Sequence, residues 1–469
     1  MSSFRRQPTA LFLCAPHLGI LDNWLPVIRG LKRERPGLRL IALVPDEKIL
    51  EQVAADDPLV RLADDAIDDV VVRHKGQRCL RSSNFARASI AASLSQSLRQ
   101  VARRCGPPLA RLANDRMGLA VQRLVLFMAG VVRSRRLRPL WRVVDRVTGR
   151  RRWFELGALS DEVDLVCYDL AQEANDELQA LLEPFLGVPR FSIYHGIVTN
   201  DVFASRPRTT LGESTAGITK FLASDLERQA WGRRFGLEDS SMETVGIVRH
   251  DPAWIEQVVA TSNRVHPLPW PRFVLIVSRP SHRQYLPRSE KRQAIEEVHR
   301  LVTDRLGLPI LVKAHPKEGV DGLFEQVLGL GRYGRTWAYT RSHPFHLAVG
   351  AALVVSFRSS VDLDMVVCGV PTINRRNDRA DRAAAGNGSS VNGAEGATVT
   401  AFAQRSALVP VARNADEFAG LVTSLLAEKS SDRLRRAYDA AFPSPNGAVG
   451  RVVQCLLTAL PGYGDDAKA

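Results

Sequence analysis

Two apolar runs that each end in a polar turn constrain what this chain can fold into. Pro309-Ile-Leu-Val-Lys-Ala-His-Pro316 reads as a buried strand that delivers Lys313 and His315 to a turn. Ser356-Phe-Arg-Ser-Ser-Val-Asp-Leu-Asp-Met-Val-Val-Cys-Gly-Val-Pro371 reads as a strand end, a turn holding Ser359 and Ser360, and then a helix. Short apolar runs alternating with helical periodicity build parallel sheets flanked by helices. In such sheets ligands bind where strands end and helices begin. A helix start there offers unpaired N–H groups and a partial positive charge, which suit phosphate. The pattern implies a user of nucleotides or nucleotide-sugars, with its chemistry toward the C-terminal part of the chain.

The same alternation runs along most of the 469 residues, a length that suggests more than one core. Strands are predicted at 9–15, 38–44, 69–72, 164–168, 190–194, 219–223 and 242–245, with helices at 22–33 and 46–55. A linker is placed at 256–271, where Pro267, Pro269 and Pro271 cluster. A second series follows: strand 273–278, helix 288–306, strand 309–314, helix 319–329, strand 335–339, helix 344–351 and strand 352–356. Helices are expected again at 415–427 and 446–460. The expected fold is therefore α/β, with two Rossmann-like domains facing across a cleft. Residues 1–255 form the first, 256–445 the second, and 446–469 a C-terminal helix and tail. Residues 374–400 begin with an arginine run and pass into an Ala/Gly/Asn/Ser tract, a composition suited to a mobile loop.

Charge is concentrated in one place. The chain carries a net charge of +14, yet Cys79–Phe154 alone holds 17 arginines against Asp115 and Asp145, leaving 47 basic and 48 acidic residues elsewhere. Residues 79–154 read as a basic helical insertion, with helical periodicity at 85–104 and 109–147. Met117–Val132 is apolar except for Gln122 and Arg123, and a cluster of arginines interleaved with Leu137, Leu140 and Trp141 follows. An apolar face beside a basic one suits an anionic membrane surface through 109–147. A solvated helical face remains the plain alternative, and nucleic acid is not expected because no nucleic-acid motif accompanies the charge. The six scattered cysteines show no C-x-x-C pair, which fits reduced thiols and neither a disulfide framework nor a zinc site. Arg5 and Arg6 before Thr9–Ala15 have some look of a signal peptide, but Pro16, His17 and Asp22 interrupt the run, so it is read as a first buried strand. With no spanning segment, the expected location is cytoplasmic, peripheral on the inner face of the cytoplasmic membrane.

Four short motifs carry a resemblance. Tyr194-His-Gly196, Val245-Gly-Ile-Val-Arg-His-Asp251, Lys313-Ala-His-Pro316 and Ser359-Ser-Val-Asp-Leu-Asp364 with Gly369-Val-Pro371 occur in the order seen in bacterial GT-B glycosyltransferases of capsule and cell-wall assembly. The pattern is similar to that of the capsular-polysaccharide and CDP-glycerol transferase-like enzymes. The chain departs from it at Val248, where proline is usual, at Asp364, where glutamate is usual, and in the arginine-rich insertion.

The resemblance implies an enzyme that moves a sugar, or a polyol phosphate, from a nucleotide-activated donor to a surface or capsular polysaccharide. The partners implied are a nucleotide-sugar and a glycan or lipid-linked glycan acceptor. The nucleotide-sugar is a substrate, and neither a cofactor nor a metal is required. His315 is implied at the donor phosphates, where it would stabilise leaving-group charge, and His195 as the general base toward the acceptor hydroxyl. Arg279, Lys313, Ser359, Ser360 and Asp364 are assigned to the donor, and His17 and Gly19 to the acceptor. Ser359 with Asp362 also fits an S-x-x-D helix cap. Arg249 and Asp251 are expected to pair with one another, with a reach into the cleft as the alternative. His343 and His346, three apart, lack acidic or cysteine neighbours for a metal site. Two other readings stay open: a UDP-sugar 2-epimerase-like enzyme of the same fold, and a non-catalytic subunit that scaffolds a membrane glycan complex.

Overall fold

The computed structural model describes residues 6–14, 20–46, 49–50, 57–73, 78–85, 88, 153–169, 180–193, 217–281, 286–315, 318, 322–357, 359–375, 408–427 and 431–463. It is a mixed α/β structure of two compact units. Unit 1 comprises 1–192, 212–216 and 453–469; unit 2 comprises 193–211 and 217–452.

In unit 1, β1 (Thr9–Leu13), β2 (Arg39–Val44), β3 (Asp69–Arg73), β6 (Leu165–Tyr168) and β7 (Arg190–Ile193) are parallel neighbours in the order β3-β2-β1-β6-β7. Their side chains are almost all buried, as expected of strands covered on both faces. Helix α1 (Ile20–Glu34) lays Leu21, Trp24, Leu25 and Ile28 against this sheet, and Trp24 meets Phe12 edge-on at 5.6 Å. A shorter helix, α2 (Pro58–Asp64), is capped by Asp57, whose carboxylate accepts the Leu59 N–H at 2.8 Å.

The edge of this sheet corrects the predicted insertion. β4 (Arg78–Ser82) and β5 (Trp153–Glu155) add on in antiparallel fashion, in the order β5-β4-β3, with Cys79 opposite Phe154. So the two ends of the basic segment are edge strands rather than helix. They are held by a charge cluster in which Arg39 bonds Asp69 and Glu162, and Arg81 bonds Glu162 at 3.0 Å. The helices expected at 85–104 and 109–147 lie outside the described residues, apart from positions 85 and 88.

Unit 2 holds a six-stranded parallel sheet in the order β12-β11-β10-β13-β14-β15, formed by Trp337–Tyr339, Ile310–Lys313, Phe273–Val277, Ala351–Ser356, Thr372–Arg375 and Val411–Ala412. Alternate residues of β10 serve opposite faces. Val274 and Ile276 pack with Ile295, Val298 and Phe418 on one side. Phe273, Leu275 and Val277 pack with Leu347 and Met365 on the other. Helices α5 (Arg288–His299), α6 (Pro344–Ala348), α7 (Val361–Val367) and α8 (Ala415–Ala427) supply these covers. A π-helical turn at Arg300–Arg305 extends α5 toward the predicted end at 306.

Three findings differ from the sequence reading. Residues 256–265 are not linker: Pro252–Val265 forms α4, started by Asp251 accepting the Ala253 N–H at 3.1 Å, with Pro252 at the first helical position. Its buried face repeats at Trp254, Val258 and Ser262. Residues 374 and 375 close β14 instead of opening a loop, and Arg375 is buried in an ion pair with Glu297 at 2.7 Å. The units also divide differently from the expected boundary at 255. β8 (Ile218–Leu222), its parallel partner β9 (Met242–Thr244) and α3 (Asp225–Phe235) group with unit 2. The physical reason is a buried cluster joining Ala223 and Ile247 to Leu363 and Val366 of α7 and to Leu434, Tyr438 and Phe442 on or beside α9 (Ser431–Ala441). The C-terminal helix α10 (Ala448–Ala459) runs close to its expected 446–460 span.

Candidate functional site

The strand order of unit 2 marks the site. The chain runs from β10 outward to β11 and β12, then returns to the other side of β10 to make β13. Order therefore reverses between β10 and β13, and the crevice for a ligand in an open parallel sheet lies at the C-terminal ends of such a pair. Register brings the strand ends level: Val277 is opposite both Lys313 and Ser356. The Ser278 N–H donates to the Lys313 carbonyl at 2.9 Å, and the Phe357 N–H to the Val277 carbonyl at 3.2 Å. Arg279, Lys313, His315, Ser359 and Ser360 thus sit on turns or strand ends along one rim, and all five are half-buried.

The turn after β11 is shaped by a residue the sequence reading passed over. Glu318 accepts the backbone N–H of His315 at 3.2 Å and the Ser278 hydroxyl at 2.9 Å, and its own N–H donates to the His315 carbonyl at 2.8 Å. Its charge is balanced by Lys291, a fully buried lysine on α5 that pairs with Glu318 and donates to the Arg279 carbonyl at 2.9 Å. The Lys291 ammonium lies 5.2 Å from the centre of the Phe324 ring. One buried ion pair therefore ties the turn bearing Arg279 to the turn bearing His315. The signal was present: Lys291 falls on the same helical stripe as Ala294, Ile295 and Val298, where a lysine interrupts an apolar face. Lys313 donates to the Ser342 carbonyl at 2.8 Å, which joins the end of β11 to the segment before α6.

The start of α7 corrects one expectation. Ser359 accepts the Val361 N–H at 3.3 Å, and its carbonyl accepts the Asp362 N–H at 3.4 Å. Asp364, assigned to the donor, lies instead in a buried network, 3% exposed. Its Oδ1 accepts Arg249 Nε at 2.9 Å and lies 2.7 Å from His250 Nε2. The other ring nitrogen of His250 lies 2.5 Å from the Tyr438 hydroxyl. Burial, and then the Asp364 charge, hold the Tyr438 hydroxyl well above its ordinary pKa, so it stays protonated. A carboxylate this deep needs a cationic partner, and Arg249 supplies it. The expected Arg249–Asp251 pair is replaced by this one, because Asp251 is engaged as the cap of α4.

Two motif glycines have defined reasons. Gly369 has φ +77°, and a Cβ there would sit 3.0 Å from Ser431 Cβ. Gly246 has φ +87°, and a Cβ would sit 3.2 Å from the Pro443 carbonyl oxygen. Only glycine suits a left-handed backbone at such close approach. His343 and His346 take structural roles: His343 Nδ1 accepts the Phe345 N–H at 3.2 Å, and His346 Nε2 lies 2.9 Å from Asn263 Oδ1. Among the described residues there is no group of three or more side chains suited to hold a metal ion. No helix among them is long and apolar enough to cross a membrane. His195, His17 and Gly19 lie outside the described residues.

No protein-family model matches the chain, and no curated protein sequence matches it. Solved structures do. A UDP-N-acetylglucosamine 2-epimerase from Listeria monocytogenes, described as putative, aligns with TM-score 0.53 at 12% identity over 96% of both chains. The UDP-GlcNAc 2-epimerase from Neisseria meningitidis, bound to UDP-GlcNAc, aligns with TM-score 0.50 at 11% identity over 96% of this chain and 99% of its own. The wall teichoic acid polymerase TagF aligns with TM-score 0.50 at 10% identity over 99% of this chain and 90% of its own. At these identities the likeness is one of fold: the chain has the two-domain Rossmann-like architecture of GT-B enzymes.

Proposed function

We propose that this protein is a GT-B glycosyltransferase that moves a sugar, or a polyol phosphate, from a nucleotide-activated donor to a surface or capsular polysaccharide acceptor. The observation that carries the reading is the gathering of Arg279, Lys313, His315, Ser359 and Ser360 on one rim at the switch point of unit 2. Cationic and hydroxyl groups converging there suit the phosphates of a nucleotide donor. The proteins of similar fold include one bound to UDP-GlcNAc and one soaked with CDPG, which agrees with a nucleotide-linked substrate. Motif order favours transfer over epimerisation, since Lys313-x-His-Pro316 and Ser359-Ser360 occur as in the transferases the sequence resembles.

In the proposed reaction an acceptor hydroxyl attacks the donor's anomeric carbon, or the phosphorus of a polyol phosphate. The bond to the nucleotide's phosphate breaks, and His315, Lys313 and Arg279 stabilise the charge left on that phosphate. The hydroxyl proton passes to His195, the proposed base. His17 and Gly19 are the proposed acceptor contacts; these three assignments rest on the sequence. Asp364 is given a positioning role in α7 in place of donor contact. Attachment to an anionic membrane through 109–147 belongs to the same proposal and likewise rests on the sequence.

A thermal-shift panel of UDP, CMP, CDP, GDP and their sugars tests the donor site. A nucleotide held at 100 times its Kd should stabilise the protein by about 2.7 kcal/mol. Absence of any stabilisation across the panel would favour the scaffold reading.

A further inference from the structure

At the opposite end of the strands from the donor rim, unit 2 gathers exposed apolar side chains, one of which, Tyr333, also meets the buried Trp337 edge-on. Leu306 is 42% exposed, Leu330 71%, Tyr333 49% and Val349 61%. All four lie on loops that enter the N-terminal ends of neighbouring strands. Backbone bonds order those loops side by side: the Ile310 N–H donates to the Thr336 carbonyl at 2.9 Å, Val274 to Pro309 at 2.9 Å, and Phe273 to Gly350 at 3.1 Å. With strands about 4.8 Å apart, four entering loops span about 15 Å. The face is also basic. Residues 268–272, 304–309, 330–336 and 349–350 contain Arg272, Arg305, Arg332 and Arg335, all exposed, and a single acid, Asp304.

We infer that this N-terminal rim of unit 2 is a docking surface for an anionic lipid bilayer. Exposed large apolar groups gathered on one face mark an interaction surface. Leucine, valine and tyrosine set among arginines match the headgroup boundary, where apolar tips enter the acyl region and guanidinium groups meet lipid phosphates. The excess of four arginines over one aspartate selects an anionic surface and gives it salt dependence. Docking by this rim leaves the donor rim clear, because the five residues of β10 hold the two about 16 Å apart. The inference uses no residue of the arginine-rich segment and does not depend on the proposed reaction.

The test is co-sedimentation of the full chain with sucrose-loaded vesicles, of phosphatidylcholine alone and of phosphatidylcholine with phosphatidylglycerol, at low and high salt. Two variants are compared with the natural chain, Leu330→Ser/Val349→Ser and Arg332→Gln/Arg335→Gln. The natural chain is expected to bind the anionic vesicles and to be released by salt. The apolar variant should bind about tenfold more weakly, a factor equivalent to about 1.4 kcal/mol. The arginine variant should lose binding to the anionic vesicles and show a shallower salt dependence. The altered side chains are exposed, so both variants should unfold at the natural midpoint; if Leu330→Ser/Val349→Ser does not, Leu330→Ser alone replaces it. Vesicle binding at the natural level by both variants would overturn the proposal and assign attachment elsewhere. No binding by the full chain would also overturn it. So would a dimer in light scattering that Leu330→Ser/Val349→Ser dissociates, since the face would then cover a second copy of this chain.

Discussion

The buried Lys291–Glu318 pair offers a test in which stability and site geometry move together. Lys291 has no exposure and the Glu318 side chain has 6%. Lys291→Met keeps most of the stem's packing but leaves the carboxylate with only the Ser278 hydroxyl and the His315 N–H. Breaking one side of a buried pair costs about 3–5 kcal/mol. Glu318→Gln strands the ammonium and should cost a similar amount. Together, Lys291→Met and Glu318→Gln remove both charges, while the glutamine oxygen can accept the His315 N–H and its NH2 can donate to the Ser278 hydroxyl. The double variant should lose only about 1–2 kcal/mol, near the cost of ordinary hydrogen bonds. The coupling between the sites should then be at least about 4 kcal/mol. Urea unfolding followed by tryptophan fluorescence measures this through the midpoint at constant slope. Nucleotide affinity, measured on the folded fraction, should fall in the single variants more than in the double, because the pair holds the Arg279 and His315 turns. Additive costs, or single variants within about 1 kcal/mol of the natural chain, would show that the pair does not hold these turns.

Further outcomes follow from the remaining geometry. Asp364→Asn should destabilise the protein by about 3 kcal/mol by removing the buried carboxylate charge that Arg249 and His250 share, whereas Tyr438→Phe should cost about 1–2 kcal/mol for the contact with His250; equilibrium unfolding checks both. Burial holds His346 below its ordinary pKa, and the neighbouring His266 and His343 add to the shift. Its folded pKa is thus depressed, so its contribution to stability is full above about pH 6.5 and is lost as pH falls toward the folded value. His346→Gln should remove that part of the acid sensitivity, visible as a smaller stability difference between about pH 7.5 and about pH 5.5. Deleting 109–147 should weaken binding to anionic liposomes if the arginine-rich segment contributes; equal binding by both chains would return it to a solvated face.

Much of unit 2 was legible in the sequence because its strands are short, wholly apolar and end in charged or hydroxyl residues. The predicted strands at 273–278, 309–314 and 352–356 differ from the observed spans by one or two residues at their ends. Errors arose where a local signal was overridden or went unread. The prolines at 267, 269 and 271 suggested a linker, while Asp251-Pro252 had already set a helix start. β14 and β15 are short, and the end of the first runs into a low-complexity tract that obscured its last residues. β4 and β5 pair across a long arginine-rich segment, so neither reads as a hairpin from nearby residues. The Asp364 network was illegible for a similar reason: His250 and Tyr438 are 188 residues apart, and only the fold joins them through α7 and α9. Asp364 resembles a ligand in sequence because its spacing from Ser360 fits the motif, yet Arg249 and His250 face it inside the protein.

In the proposed reaction unit 2 presents a nucleotide-linked donor for group transfer, with His315 at its phosphates. The most direct measurement incubates the full chain with the nucleotide-sugar that gives the largest thermal shift, together with candidate glycan acceptors. It follows free nucleotide, elongated glycan and the configuration of unreacted sugar in one experiment, for the natural chain and for His315→Ala. The account predicts nucleotide release matched one for one by glycan extension. His315→Ala should lower turnover by at least about a hundredfold, as loss of a transition-state charge stabiliser does, with an unfolding midpoint close to that of the natural chain. Epimerised sugar without transfer, or His315→Ala turning over at the natural rate, would contradict it.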